Sequence, residues 1–138
     1  MASVNPFPPI LQEHEIQIRV RYQETDGQGR VHHTNYLNYF EIARVEMLRA
    51  SGRSYRDLEA DGVMLVVSQA NCNYYRGAIY DDLLTIKTTV TKAKGVRIHH
   101  DYKVFNGEEL VAEGNTVVAA VDPSGKVVRL PKWLVFRE

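Results

Sequence analysis

The hydrophobic period of this chain changes from two to about three and a half and back again. In EIQIRVRY, residues 15–22, Ile16, Ile18, Val20 and Tyr22 fall on one side and Glu15, Gln17, Arg19 and Arg21 on the other. Successive strand residues point to opposite faces, so this alternation predicts a half-buried β-strand. From about Asn35 to Ala50, Tyr36, Phe40, Ala43 and Met47 recur at spacings of four, three and four, which is one face of a helix. Leu37, Ile42, Val45 and Leu48 widen that face and predict a largely enclosed helix. Thr34 or Asn35 is the expected N-cap, and Ser51-Gly52 the expected stop. At about 1.5 Å per residue the rod is roughly 24 Å long, enough to lie along a whole sheet.

The remaining periodic segments read as strands. VMLVVSQANCNYY predicts a long, mostly buried one, and LLTIKTTVT alternates Leu84, Ile86, Thr88 and Val90 against Thr85, Lys87, Thr89 and Thr91. VRIHHDYKVF and ELVAEGNTVVAAV flank NGE, a tight-turn signal, and DPSG at Asp122 to Gly125 predicts a turn into a last extended piece, KVVRL. Three prolines within residues 1–13 predict an extended arm, leaving 14–138 as one domain. One strand, one long helix and four or five consecutive strands suggest an α+β fold, an antiparallel sheet folded around a single helix.

Composition narrows the function classes. The 138 residues carry 17 basic and 17 acidic side chains, a balance that argues against nucleic-acid or membrane-surface binding. A small anionic ligand stays open, because Arg and Lys cluster locally. The single cysteine, Cys72, leaves no internal disulfide and fits a reducing compartment. The sequence holds no run of about 18 apolar residues and no basic-then-apolar start, so a cytoplasmic location is expected.

The chemistry concentrates in ETDGQGRVHHTNYLNYFEIAR, residues 24–44. Asp26 sits on a turn loosened by Gly27 and Gly29, just ahead of the helix. The unpaired N–H groups of a helix start attract negative charge, so this acid is either a turn or cap residue or a catalyst. An ordinary aspartate is ionised at neutral pH and can attack a carbonyl or take a proton from water. The helix start supplies donors for the oxyanion. His33 either orients Asp26 or the substrate, or packs; His32 reads as a loop or interface residue. Tyr36 and Phe40 read as core or pocket lining, and Glu41 as a salt-bridge or substrate-contact residue. The strand places His99 and His100 on opposite faces, which disfavours chelation of one metal, and no other spacing resembles a zinc site. Cys72 reads as core, NYYRG at Asn73 to Gly77 as packing or dimer contact rather than a platform stacking on a ring, and no Gly-x-Ser-x-Gly elbow occurs.

Asp-x-x-Gly-x-Val, carried by Asp26, Gly29 and Val31, is followed by Asn-Tyr-Leu-x-Tyr-Phe-Glu-x-Ala-Arg at 35–44. Together they resemble the signature region of hotdog-fold acyl-CoA thioesterases, nearest to the 4-hydroxybenzoyl-CoA thioesterase branch. Similarity runs from about Glu15 to about Val121 and includes YDDLLTI at Tyr80 to Ile86. The resemblance implies a curved antiparallel sheet wrapped around one helix, with two subunits joined sheet edge to sheet edge. It implies active sites at that interface and a homodimer, or a dimer of dimers. It makes Asp26 the essential carboxylate and His33 a second catalytic position, through its side chain and a backbone N–H facing the thioester oxygen. Lys94 falls where the branch places a basic residue for the CoA phosphates, with Arg97 nearby; Tyr36 and Glu41 complete the expected substrate contacts. No metal or organic cofactor is implied, since CoA is part of the substrate. His32, Arg30 and the GVRI stretch after Lys94 depart from the branch. The expected activity is hydrolysis of acyl-CoA to free acid and CoA. The alternatives are an acyl-carrier-protein thioesterase and a non-catalytic acyl-CoA-binding protein of the same fold.

Overall fold

The structure is a computed structural model that describes residues 10–135. Strand β1 (Glu13–Arg19) leads through a 3₁₀ turn at Tyr22–Glu24 into helix α1 (His33–Ala50), followed by a short helix α2 (Tyr55–Ala60). Four strands follow: β2 (Met64–Tyr74), β3 (Leu83–Lys94), β4 (Arg97–Asn106) and β5 (Glu109–Val121). All five strands form one antiparallel sheet in the order β1-β3-β4-β5-β2, curved around α1 in the hotdog arrangement.

The alternation in β3 places Leu84, Ile86, Thr88 and Val90 inward, as the sequence predicts, and the buried face of α1 carries Tyr36, Phe40, Ala43 and Met47. The helix packs closely on the sheet over Gly114. A Cβ there would lie 2.1 Å from the Asn71 carbonyl oxygen and 2.8 Å from Phe40 Cε2. The Phe40 ring stacks on Tyr102 at 4.2 Å. Burying Phe40 contributes about 1.5–3 kcal/mol, and only a residue without Cβ lets it sit that low.

The core has two apolar halves. One holds Tyr36, Phe40, Leu84, Ile86, Val104 and Ala112, among others; the second holds Met47, Leu48, Val90, Ile98 and Val118. In four elements a polar residue marks the change: Arg44 on α1, Thr88 on β3, His100 on β4 and Thr116 on β5, all buried. Register aligns the layer across the sheet: His100 pairs with Thr116, and Thr88 pairs with Tyr102, whose hydroxyl meets Thr116 Oγ1 at 2.6 Å.

Several expectations are corrected. Tyr22 does not face the core: β1 ends at Arg19, and Tyr22 lies in the 3₁₀ turn, 77% exposed. Strand β2 is a sheet edge rather than mostly buried, with Val66 and Val67 44% and 49% exposed. KVVRL forms no strand: it makes a Val121–Val127 bridge and single backbone bonds from the Val128 and Leu130 N–H groups to the carbonyls of Ala120 and Gly95. Helix α1 begins at His33, and its N-cap is His32, whose ring accepts from the Thr34 N–H; neither Thr34 nor Asn35 caps it. One face of α1 is open in this chain, with Leu37 and Ile42 on it, so the helix is not enclosed all round. Helix α2, too short for a hydrophobic period to announce it, starts on a capping box between Ser54 and Asp57. The proline-rich arm falls mostly outside the described residues. Its last part packs inward: Ile10 meets the second apolar half, and the Leu11 N–H donates to Ser51 Oγ at 3.0 Å.

Candidate active site

Between β1 and α1 the chain folds into a tight, self-braced loop. The Glu24 carboxylate accepts from the Arg21 N–H at 2.8 Å and from the Tyr39 hydroxyl at 3.1 Å, while the Glu24 carbonyl accepts from the His32 N–H and from Asn35 Nδ2. These bonds fix the start of α1 against the 3₁₀ turn. Beyond it the Asp26 N–H donates to the Arg30 carbonyl at 2.7 Å, and Gly29, at φ +78, donates back to the Asp26 carbonyl. That left-handed position suits glycine. Asp26 Oδ1 accepts from the N–H groups of Gln28 (2.8 Å) and Arg30 (3.3 Å), an Asx turn. Its Oδ2 has no partner among the described residues.

This half-buried acid lines a cleft of about 320 Å³ together with His33, Tyr36, Tyr74, Arg30 and Arg76. The His33 N–H, first of the helix, has no acceptor among the described residues. The Tyr74 hydroxyl donates to the His33 carbonyl at 2.9 Å, and its ring meets His33 and Tyr36 edge-on at 6.3 and 5.4 Å. Desolvation, then the neighbouring Cys72 thiol and Tyr36, push the Tyr74 phenol up to about 12, so it stays a donor at neutral pH. Burial raises the Tyr36 phenol as well, followed by Cys72 and Asp82. Arg30 lies over Gly77, where a Cβ would meet its Cδ at 2.7 Å. A small residue at 77 therefore gives Arg30 its place on the cleft wall.

Of the residues singled out from sequence, Asp26, His33 and Tyr36 come together here. Glu41 does not line the cleft; it sits on the exposed side of α1, and its charge is felt at Tyr55. Lys94 and Arg97 face each other across the Gly95 turn at the far end of β3, eleven residues from Leu83. At about 3.3 Å per residue that end is on the order of 35 Å from the start of the strand, so one chain does not bring them to its own cleft. Tyr74 and Arg30 are cleft residues that the sequence does not single out, and Arg76, an alternative base for the CoA phosphates, lies beside them. The mixed aromatic and basic run NYYRG was the available signal, but only the β2 edge position turns it toward α1.

Comparison with known proteins places this geometry. The Thioesterase superfamily pattern matches residues 28–113. The acyl-CoA thioester hydrolase YbgC of Escherichia coli is 38% identical over 120 residues, which is 86% of this chain and 90% of that protein. A DHNA-CoA thioesterase structure from Staphylococcus aureus superposes with a TM-score of 0.83 at 33% identity, covering 86% of this chain and 80% of that one. A probable thioesterase structure from Bartonella henselae gives 0.82 at 35% identity, covering 86% and 99%. A family match across more than half the length, together with a relative this similar over nearly all of it, shows that the chain belongs to the thioesterase superfamily.

Proposed function

We propose that the protein hydrolyses acyl-CoA thioesters to free acid and CoA, with Asp26 as nucleophile or general base and the His33 backbone N–H as oxyanion donor. One observation carries this reading: Oδ1 of Asp26 is anchored by two backbone donors while Oδ2, unpartnered, belongs to the same cleft as the open N–H of the α1 start. As a nucleophile, Oδ2 attacks the thioester carbon, the CoA thiolate leaves, and water opens the resulting anhydride. As a base, it takes a proton from water, whose oxygen attacks the same carbon; the C–S bond then breaks and the CoA thiolate leaves, taking up that proton. In both routes negative charge grows on the carbonyl oxygen, which the His33 N–H and the positive end of the helix dipole stabilise. A placed base contributes roughly 10²–10⁴ in rate and an oxyanion donor roughly 10²–10³. That is enough for an activated ester without a metal or organic cofactor. Tyr36 and Tyr74 would wall the acyl side and His33 would orient the substrate.

The proposal includes a partner copy. The exposed β2 edge, with Val66 and Val67 outward, suits strand addition from a second chain, giving a homodimer that can pair again. In such an assembly Lys94 and Arg97 would serve the cleft of another subunit by binding CoA phosphates. A cytoplasmic location, where acyl-CoA is met, fits this reading.

The test is turnover of short, long and aromatic CoA thioesters, and of acyl-carrier-protein esters, by wild type and Asp26→Asn. Hydrolysis of at least one CoA ester, lowered at least 10²-fold by the substitution, is expected. No turnover of any CoA ester would leave the binding-only alternative, and preference for carrier-protein esters would change the acyl donor.

A further inference from the structure

The buried polar layer contains a feature that the Asp26 cleft does not use. Arg44 is only 9% exposed, on the inner side of α1. A guanidinium is always charged, and a charge inside a protein ordinarily has an anionic partner. Arg44 forms no ion pair with any carboxylate among the described residues. The groups it meets are the phenol oxygens of Tyr55 and Tyr102, both neutral acceptors. Glu41, three residues earlier, acts on Tyr55 without pairing with Arg44. Across from it stands His100, 6% exposed, whose Nδ1 is buried and has no hydrogen-bond partner among the described residues.

Arg44 and His100 line one cavity of about 30 Å³ together with Tyr55, Ser51 and the apolar side chains of Met47, Leu65, Val90 and Ile98. That space holds about two water-sized particles. A water there would satisfy the His100 nitrogen but would leave the guanidinium charge uncompensated. A small anion answers both groups, accepting from the guanidinium and from a neutral imidazole carrying its proton on Nδ1.

We propose that this cavity is a binding site for one small monovalent anion of halide size, held between Arg44 and His100. The site lies inside a single chain and is independent of the Asp26 reading. Binding to the folded state alone raises stability with anion concentration. The charged and titratable groups around it are Arg44, His100, His99, Tyr55, Tyr102, Asp101 and Glu41.

The experiment is a melting series on the wild-type full-length protein at constant ionic strength, with sodium gluconate replaced stepwise by sodium bromide. Gluconate is too large for the cavity. Bromide is also the less stabilising salt through general surface effects, so a rise goes against that trend. The expected result is a rise of about 3 °C or more between 1 and 200 mM bromide, abolished in Arg44→Met. Crystals grown in bromide should show an anomalous peak between Arg44 and His100, a readout that stands even if Arg44→Met fails to fold. Equal melting in both salts, a bromide response kept by Arg44→Met, a crystal peak without a melting response, or a cavity filled by water or a partner chain's carboxylate would each overturn the proposal.

Discussion

Helix α1 carries two polar places about 16 Å apart, one at His33 and one at Arg44, and they are built in opposite ways. At the helix start the side-chain hydrogen bonds of Asp26 and His32 reach no more than four residues along the chain, to Gln28, Arg30 and Thr34. The resulting cleft is open to solvent, and one carboxylate oxygen is left available. At Arg44 the partners come from α2 and from the middle of the sheet, brought together by strand register, and water is largely excluded. A short-range turn can expose a reactive group without destabilising the fold. A long-range layer holds charge inside and couples it to stability.

The sharpest way to separate the two places is at Asp26. Asparagine keeps Oδ1, and with it both backbone bonds of the Asx turn, while removing the charge. Asp26→Asn should therefore lower kcat by about 10²–10⁴ and shift the melting temperature by no more than about 1 °C. Asp26→Ala should lose as much activity and also about 1 kcal/mol of stability, because the turn loses its acceptor. Steady-state kinetics and calorimetry on the pair decide this; near-normal turnover in Asp26→Asn would move the chemistry elsewhere.

Next in size is Gly114→Ala, on the sheet wall beneath Phe40. The added Cβ meets a backbone oxygen at 2.1 Å, which cannot swing aside as a flexible side chain does. A loss of about 3 kcal/mol in denaturant unfolding is expected, with the cleft loop untouched. A loss below about 1 kcal/mol would mean that β2 and α1 yield at this point.

This contrast also explains what the sequence disclosed. The β3 alternation, the Gly107 turn and the buried stripe from Tyr36 to Met47 are local patterns, and each appears in the structure as read. The grouping of Asp26 with His33 and Tyr36 was legible for the same reason, lying within eleven residues. The β2 prediction failed because VMLVV is apolar enough for a core strand, and only the sheet order makes it an edge. His32 as N-cap was hidden because histidine is not a usual capping residue. Arg44 enters the sequence pattern only as the last residue of the run 35–44. Nothing nearby in sequence reveals that Tyr55, His100 and Tyr102 surround it.

The buried layer has its own pH signature. Desolvation, followed by Arg44 and His99, lowers the His100 imidazole to about 3. Unfolded, it would take a proton as pH falls below about 6.5, while the folded state resists until about 3. In that window the unfolded chain binds more protons, so stability falls with pH, by up to about 1.4 kcal/mol per unit, and is fully present above it. His100→Leu should flatten the fall between pH 6.5 and 4 relative to wild type in urea titrations. Parallel curves would show that the imidazole is protonated in the folded protein or released to solvent.

The smallest expected effect concerns whether the cleft is complete in one chain. Lys94 lies at the far end of β3 from Asp26, so any contact with a substrate in the cleft has to come from another subunit. A solvent-exposed lysine against a phosphate contributes about 1 kcal/mol or less. Lys94→Ala should therefore raise KM for CoA esters by up to about fivefold and change kcat by less than twofold. A matched thioester of N-acetylcysteamine, which lacks the nucleotide and its phosphates, should show no change. Equal KM values for the CoA ester in wild type and variant would leave Arg30 and Arg76, already on the cleft wall, as the phosphate contacts, with no need for a second chain's charge. A rise confined to the CoA ester would instead make the open cleft a site shared between subunits, in contrast to the layer around Arg44, which a single chain assembles by itself.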